Sequence, residues 1–408
     1  MNGSEDEGHR LNRRQFLAAA AAAGKLGAAR TPAVAAIVTE YRNLSHADVI
    51  VGRILNGYSP DGVKVEPRTR IVSMYTDQVP QNDMSRGLAA KHGFHIYPSV
   101  REALTLGGPA LAVDAVLLVG EHGNYPSNGR GQKLYPRYEL FRQVIEVFRQ
   151  SGRSVPLFCD KHLSYSWEKA SQMYRWAREL RVPFMAGSSI PVTIRRPELE
   201  LAMRSRVQHA ASVGYGELDA YGFHTLEGLQ CMLERRRGGE TGIAAVEWLE
   251  GDAVWKWRDG EGRWSAPLLD AALATGGNVK PGRPEQNAKS PVVFLLEYKD
   301  GLRTASYLLD GHVREFEFAA RVEGMPEPVA TRYLTGGVPR ALPHFDGLVK
   351  CIEDLFVTGR PVYPVERTLL TTGALALLFD SRERQSRVAT PELNISYSSP
   401  QHTYFERG

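Results

Sequence analysis

The sequence predicts two architectures in succession: a Rossmann-like, doubly wound parallel α/β sheet, and then an α+β domain with a mostly antiparallel open sheet. Up to residue 183, short apolar runs alternate with amphipathic helical patterns, which is typical of buried parallel strands joined by crossover helices. Beyond residue 184, strand-like runs end in Asp-Gly or Glu-Gly pairs, which favour hairpin turns between antiparallel strands. The 408 residues are enough for two domains of ordinary size.

The first predicted domain, residues 32–183, alternates strand and helix throughout. Ser45 is a suitable N-cap for its first helix, and Gly93 closes the second helix. Ligands of such sheets bind beyond the carboxyl ends of the strands. The predicted strands are residues 33–41, 69–77, 94–99, 113–120 and 154–160, and the predicted helices are residues 46–55, 83–93, 100–108, 138–150 and 167–180.

The second predicted domain, residues 184–408, combines strand-like runs with three helical patterns. The predicted strands are residues 241–251, 252–260, 292–301, 302–311 and 315–322. The predicted helices are residues 217–237, 344–359 and 364–384. Because consecutive strands are joined by short turns, we expect a mostly antiparallel sheet.

Residues 1–31 resemble a twin-arginine export signal and are excluded from the fold. Arg13 and Arg14 precede Gln-Phe-Leu and a weakly apolar alanine run. The run from Leu17 to Ala23 is too short to span a bilayer, which needs about 20 apolar residues. We therefore expect a periplasmic or otherwise extracytoplasmic protein without a membrane span.

The composition argues against several classes of protein. The formal charge is only +4, and no nucleic-acid-binding motif is present, so no nucleic-acid partner is expected. The three cysteines have no metal-ligand spacing, which gives no indication of a zinc site. Hydrophobic residues make up 43% of the chain, as in an ordinary globular protein.

The loop after the fourth predicted strand carries side chains suited to binding sugar hydroxyls. Glu121, His122, Asn124 and Tyr125 follow one another within five positions, and carboxylate and amide groups suit vicinal diols. Arg195 lies at the predicted domain junction, where substrate specificity is often set. A small carbohydrate or polyol is therefore the expected partner.

Three segments, in this order, resemble the glucose–fructose oxidoreductase and inositol dehydrogenase family (Gfo/Idh/MocA). Residues 160–164, Asp-Lys-His-Leu-Ser, stand where the family has Glu-Lys-Pro and a small pair. Residues 221–227 resemble the family's Gly-x-His-x-x-Asp helix start, with Glu in place of Asp. Residues 363–381 resemble its terminal helix.

The resemblance implies hydride transfer between a nicotinamide cofactor, NAD or NADP, and a sugar or polyol. Lys161 would lie beside the nicotinamide, and His224 would exchange the proton of the substrate hydroxyl. Asp160, His162 and Tyr221 flank these positions and would contact substrate. Open sheets in this family often pair, so a homo-oligomer, dimer or tetramer, is also implied.

The turn after the first strand departs from the family. A dinucleotide site normally has a Gly-x-Gly-x-x-Gly turn there, but residues 39–46 contain no glycine. The cofactor would instead meet Thr39, Glu40, Tyr41 and Arg42, with Glu40 adding negative charge unless Arg42 offsets it. Asp77 stands where an acidic residue accepts the ribose hydroxyls of NAD, and Glu121 would face the nicotinamide with Lys161. Ala220 stands where the family has an acid four residues before the histidine.

These departures leave two other classes of function open. One is a sugar-binding protein on the same fold that has lost the dinucleotide. The other is a redox-neutral or metal-assisted glycoside lyase or hydrolase, because imidazoles and a carboxylate suit Zn, Mn or Fe. The candidate ligands lack a recognised metal spacing, so the site is predicted without a metal. They are His122, Asp160, His162 and His224.

Overall fold

The computed structural model describes residues 30–59, 63–336 and 342–401. The predicted export signal lies outside these residues, apart from its last two positions. Within the described residues, no helix is long and apolar enough to cross a bilayer. Residues from Pro32 onward form one compact unit.

The first half of this unit is built on a parallel sheet, as predicted. In the described part of the chain it has six strands in the order β3-β2-β1-β4-β5-β6, and each neighbouring pair is parallel. The order reverses between β1 and β4, which opens a crevice at the carboxyl edge. The strands are β1 (Ala33–Val38), β2 (Arg70–Thr76), β3 (His95–Ile96), β4 (Ala115–Val119), β5 (Leu157–Asp160) and β6 (Phe184–Gly187).

Helices cover both faces of this sheet and bury its apolar strands. Their bounds are α1 (His46–Asn56), α2 (Ser85–His92), α3 (Val100–Thr105), α4 (Arg137–Ser151) and α5 (Trp167–Glu179). One apolar cluster joins Val116 and Leu118 of β4 to Phe141 and Ile145 of α4. The crossover connections predicted from the alternating pattern are thus present.

Two details differ from the prediction at the end of this region. Strand β6 was expected to begin the second domain, but it pairs in parallel with β5 and belongs to the first sheet. A helix from the end of the chain, α10 (His344–Thr358), also packs on this sheet through Phe345 and Leu348. Sequence order does not show either arrangement, because both depend on which apolar face a distant segment covers.

The second sheet is mostly antiparallel. In the described residues this sheet has eight strands, and only the neighbours β8 and β11 are parallel. The strand order is β14-β9-β10-β11-β8-β12-β13-β7. The strands are β7 (Arg195–Arg196), β8 (Val207–Gly214), β9 (Ile243–Glu250), β10 (Val292–Tyr298), β11 (Arg303–Leu308), β12 (Phe316–Val322), β13 (Val329–Tyr333) and β14 (Val388–Ala389). The predicted open sheet is confirmed, and it contains strands β8 and β13 that the patterns did not indicate.

Helices cover both faces of the second sheet as well. On the inner face lie α6 (Ala220–Leu233) and α11 (Val365–Arg384), which contribute Phe223, Leu226 and Leu378 to a large apolar cluster. On the outer face lie α7 (Asp252–Asp259) and α8 (Ala266–Thr275), followed by the one-turn α9 (Pro284–Asn287).

Residues 252–260 were predicted to be a strand, and that prediction is wrong. The segment forms α7, which begins after Gly251, a residue with a φ of 63°. Val254 is buried there and Trp257 is half-buried, at a helical spacing of three, so the alternating pattern misled the interpretation.

Candidate functional site

A cleft of about 650 Å³ lies at the carboxyl edge of the parallel sheet. Its lining comes from the loops after β4 and β5, from the starts of α1, α6 and α10, and from β12. A cleft of this size matches the range of small-molecule sites, about 300–1,000 Å³. The predicted site residues among its lining are Glu121, His122, Lys161, Tyr221 and His224.

Lys161 is held in place by an unusual backbone conformation directly after β5. Its φ is 69°, in the left-handed region that a lysine rarely adopts. Its N–H donates to the carbonyl of Gly187 at the end of β6, at 3.1 Å. Such a conformation costs free energy and persists where the surrounding structure fixes it, often at functional sites.

Lys161 and His224 form the central contact of the cleft. The Lys161 Nζ donates to His224 Nε2 at 2.6 Å, and both side chains are buried. Burial, followed by the nearby charge of Lys161, lowers the pKa of His224 well below its ordinary value. The imidazole is therefore neutral near pH 7, and its Nε2 accepts the hydrogen bond from Lys161. The structure thus brings together the two predicted catalytic residues.

Glu121 balances the positive charges beneath this pair. Its carboxylate lies 3.8 Å from Lys161 Nζ and also pairs with Arg137. Although burial raises it, the charges of Lys161 and Arg137 hold the pKa of Glu121 well below its usual range. Glu121 therefore stays ionised beside Lys161 and Arg137 at the base of the cleft.

His162 lies behind the cleft rather than on its surface. Arg137 donates to His162 Nε2 at 3.1 Å, and the same nitrogen is 3.9 Å from Asp219. Burial and the charge of Arg137 lower the pKa of His162. Burial raises the pKa of Asp219 to about 6. His162 thus supports Arg137, and it does not line the cleft, where a substrate contact was predicted for it.

Three other predicted substrate contacts are also placed away from the cleft. Arg195 is fully buried, donates to the carbonyls of Pro191 and Leu199, and lies over the Tyr333 ring. Asn124 and Tyr125 belong to the loop after β4, but neither lines the cleft. Arg195 is a packing residue because its guanidinium satisfies buried carbonyls between β7 and α6.

The turn after β1 does not fit a dinucleotide pyrophosphate. Thr39 is fully buried and donates to the carbonyl of Glu121 at 2.8 Å, and Tyr41 packs in the apolar core. Arg42 pairs with Glu40 at 2.6 Å, so its charge is already balanced. The predicted cofactor residues 39–42 are therefore bound to the chain itself, and no glycine leaves room for phosphate oxygens.

The start of α1 is satisfied by the chain as well. Ser45 caps Asp48 N, Leu44 N donates to the Asp48 carboxylate at 2.9 Å, and His46 N donates to His122 Nδ1 at 3.3 Å. A helix N-terminus binds phosphate through free N–H groups and its positive dipole end. Here His46 N and Asp48 N already have partners, and the Asp48 carboxylate adds a negative charge.

Asp77, the predicted ribose acceptor, also has partners within the chain. It accepts the hydroxyls of Tyr75 at 2.8 Å and Tyr125 at 2.5 Å. Next to it, Gln78 and Asn124 bond each other in both directions, at 2.8 and 3.2 Å. The loop after β4 therefore closes onto the end of β2, where the adenosine half of a dinucleotide would need to lie.

The histidines and carboxylates of the site do not assemble into a metal centre. Among the residues that the structure describes, no group of three or more His, Cys, Asp or Glu side chains is arranged to hold a metal ion. Asp160, one of the candidates, contacts His46 instead.

Two cleft residues were missed by the sequence analysis. His46, at the start of α1, binds Asp160 at 2.6 Å through its Nδ1. His344, at the start of α10, shares a 2.6 Å hydrogen bond with the Ser189 hydroxyl. The signal for His46 was its position directly after the first strand, among the polar loops. His344 offered no such signal, because α10 reaches this sheet from the other end of the chain.

Comparison with known proteins identifies the fold. No family model matches the sequence, and no curated protein matches it. Scyllo-inositol dehydrogenase from Lactobacillus casei, solved with bound cofactor NAD(H) and scyllo-inositol, has a TM-score of 0.54 at 10% identity, covering 88% of this chain and 99% of that one. GenD2 from gentamicin A biosynthesis, in complex with NAD, has a TM-score of 0.55 at 14% identity, covering 89% and 97%.

A third similar structure is a myo-inositol dehydrogenase from Corynebacterium glutamicum, with a TM-score of 0.52 at 9% identity, covering 88% of this chain and 99% of that one. The fold that the sequence resemblance implied is therefore confirmed. At these identities the likeness establishes the fold and leaves the chemistry to the site.

Proposed function

We propose that this protein is an enzyme that acts on a CH–OH group of a sugar, polyol or glycoside. The observation that carries the proposal is the 2.6 Å contact between Lys161 Nζ and His224 Nε2 within the cleft. The fold supports it, because similar structures are dehydrogenases and one holds scyllo-inositol. In this proposal Lys161 and His224 are the catalytic residues.

The pair is suited to exchange a hydroxyl proton. In the proposed step Lys161 takes the proton of the substrate hydroxyl as it passes one of its own protons to the neutral His224 Nε2, and Glu121, 3.8 Å from Lys161 Nζ, balances the added positive charge. His122 and Tyr221 line the same cleft and are available to hold further hydroxyls. General acid–base catalysis of this kind contributes about 10²- to 10⁴-fold to a rate.

As an oxidoreductase the enzyme would pass hydride to NAD or NADP. Similar structures hold NAD, which supports this class of reaction. The turn after β1 does not fit the pyrophosphate of such a cofactor. The proposal of a dinucleotide is therefore supported by the fold alone. Calorimetric titration with NAD and with NADP decides between the two cofactors.

A second candidate is a carbohydrate-binding protein or redox-neutral glycoside-cleaving enzyme that uses no dinucleotide. The observation that favours it is the loop after β4, which is bonded to Asp77 through Tyr125. In both forms of this candidate the sugar binds in the cleft and no hydride acceptor is needed. In the glycoside-cleaving form Lys161 also exchanges a proton with the substrate.

Calorimetry on the purified full chain separates the two candidates. NAD, NADP and a panel of sugars, polyols and glycosides are titrated separately, and the supernatant after denaturation is examined for released dinucleotide by absorbance and mass. Dinucleotide binding or release supports the oxidoreductase. Carbohydrate binding without either supports the second candidate, and no carbohydrate binding at all contradicts the proposal. Lys161→Met should retain carbohydrate binding and lose turnover.

We also propose export by the twin-arginine route, which rests on residues Arg13 and Arg14. Replacement of both arginines by lysine should leave the protein in the cytoplasm of a host with this pathway. Export of the double variant at the normal level would contradict the proposal.

A further inference from the structure

A second ionisable pair faces the cleft, formed by His46 and Asp160. His46 is the first residue of α1, and its Nδ1 lies 2.6 Å from Asp160 Oδ2. Asp160 ends β5 and is fully buried. Its other oxygen, Oδ1, has no hydrogen-bond partner among the described residues. The imidazole is thus the hydrogen-bond partner of a carboxylate that is fully shielded from solvent.

The contact fixes the proton positions of the imidazole. A carboxylate only accepts, so His46 Nδ1 carries a proton, and in the neutral imidazole Nε2 carries the lone pair. The His46 side chain is 14% exposed and lines the cleft. Its ring is held between the His122 ring at 5.3 Å and the Phe345 ring at 5.1 Å. Nε2 is therefore the nitrogen left to meet a bound molecule.

We propose that His46 is a second acid–base residue of this cleft, with Asp160 as its positioning residue. The proposal rests on the proposed function, because it concerns the same cleft and the same hydroxyl-bearing class of substrate. A role in packing alone would not explain the pair, since a buried carboxylate is costly and an apolar pair of the same shape would suffice.

The proton transfer is balanced within the pair and the substrate. Nε2 accepts the proton of a substrate O–H group while Nδ1–H stays bonded to Asp160. The imidazolium that forms is paired with the Asp160 carboxylate, and it returns the proton to a substrate or water oxygen to close the cycle. His224, on α6, and His46, on α1, thus provide separate proton exchange from two walls of the cleft.

Several charged and titratable groups surround His46, and the test must account for them. They are Glu121 and His122 from the loop after β4, Lys161 after β5, His224 from α6 and His344 from α10. Only Asp160 is bonded to a ring nitrogen of His46 in the described contacts. A substitution of Asp160 therefore tests the His46–Asp160 contact separately from the other groups.

The first experiment needs no substrate. In the full chain labelled with ¹⁵N-histidine, the ring-nitrogen shifts of His46 should show the Nδ1–H tautomer. Diethyl pyrocarbonate should modify His46 at Nε2. The rate of this modification, divided by the rate at the exposed His95, should be at least tenfold lower in Asp160→Leu than in the wild type. An Nε2–H tautomer, or an unchanged modification rate, overturns the proposal.

The second experiment uses the carbohydrate identified by calorimetry. His46→Gln and Asp160→Leu should each lower kcat by about 10²-fold or more with little change in KM, and the double variant should be no worse than either. Asp160→Asn, of the same shape, serves if Asp160→Leu does not fold. If Lys161→Met loses turnover and His46→Gln keeps full turnover, the proposal for His46 is overturned and the proposed function is retained. Turnover retained in Lys161→Met contradicts the proposed function instead.

Discussion

Lys161 occupies a strained position whose cause lies in its neighbours. The residue follows a buried strand and takes a positive φ, and its N–H is bonded to Gly187 of the next strand. This conformation turns its side chain out of the sheet and toward His224. In an extended backbone successive side chains point to opposite faces of the sheet, and from such a backbone the lysine would reach the histidine less directly.

The charge of Lys161 should set the protonation of His224. In Lys161→Met the pKa of His224 should rise, because after burial the lysine charge is the largest cause of its low value. Histidine NMR titration of the full chain measures this. Lys161→Arg, which keeps the charge, is the matched control and should leave the low value in place. An unchanged pKa in Lys161→Met would refute the electrostatic coupling.

Glu121 should be worth several kcal/mol near pH 7. Glu121→Gln leaves Arg137 and Lys161 as buried cations without their carboxylate, a kind of change that costs about 3–5 kcal/mol. Urea unfolding at pH 7 measures the loss. The partly exposed surface pair of Glu139 with Lys169 is the control, and Glu139→Gln should cost less than about 1 kcal/mol.

The pH dependence of this effect has a definite sign. The pKa of Glu121 is lower in the folded chain than its unfolded value of 4.5, so its contribution is present above about pH 4.5. It is lost as pH falls below that value. The gap between wild type and Glu121→Gln should therefore shrink in acid, and a gap that widens in acid would contradict the assignment.

At the scale of elements, the loop after β4 is bonded to three neighbouring elements at the edge of the parallel sheet. Residues of this loop bond Thr39, His46 and Asp77, and so tie the ends of β1, α1 and β2 together. The same contacts that order the loop fill the place of the pyrophosphate and adenosine. This element is therefore the structural reason for the two candidate functions.

Helices α7 and α8 form an integral cover of the second sheet. Leu268, Leu269 and Ala272 of α8 pack with Val213 and Tyr307 of the strands on the outer face. The strands on this face are therefore covered by helices of the same chain. The oligomeric state itself stays a proposal.

The cover should contribute measurably to folding. Leu269→Ala should lower the free energy of unfolding by about 2–5 kcal/mol, because it removes a buried side chain and leaves a cavity. Asp270→Ala, the exposed neighbour, should change it by less than about 0.5 kcal/mol. Denaturant unfolding compares them. Equal small effects would show that α8 is loosely attached.

At the scale of the molecule, Glu227 links the two sheets. It lies on α6 and accepts hydrogen bonds from Ser188 N, after β6, at 2.7 Å and from the Thr368 hydroxyl of α11 at 3.0 Å. Burial raises the pKa of Glu227 to about 7, although its hydrogen bonds and Arg367 lower it. The side chain therefore takes up a proton near neutrality, at the junction of the two halves.

This proton should make stability fall with rising pH. Between about pH 4.5 and 7 the folded chain holds the proton and the unfolded chain releases it, so ionisation of Glu227 costs stability. The stability of Glu227→Gln relative to wild type should improve by about 3 kcal/mol from pH 4.5 to pH 8. Urea unfolding at both values measures it, and a difference independent of pH would refute the shift.

The sequence by itself determined the alternating architecture, the polar loops at the strand ends, and the roles proposed for Lys161 and His224. Local apolar periodicity and turn residues carry that information, because they report which face of each element is buried. The absence of glycine after β1 was also visible in the sequence.

Only the tertiary structure decided which polar residues meet. His162 and Asp160 flank Lys161 in the chain, yet one supports Arg137 and the other binds His46, 114 positions away. Arg195 lies at the domain junction but is buried against carbonyls. The packing of α10 on the first sheet depends on contacts between distant segments. Sequence spacing specifies local geometry, whereas partners across the chain are selected by the packing of the whole molecule.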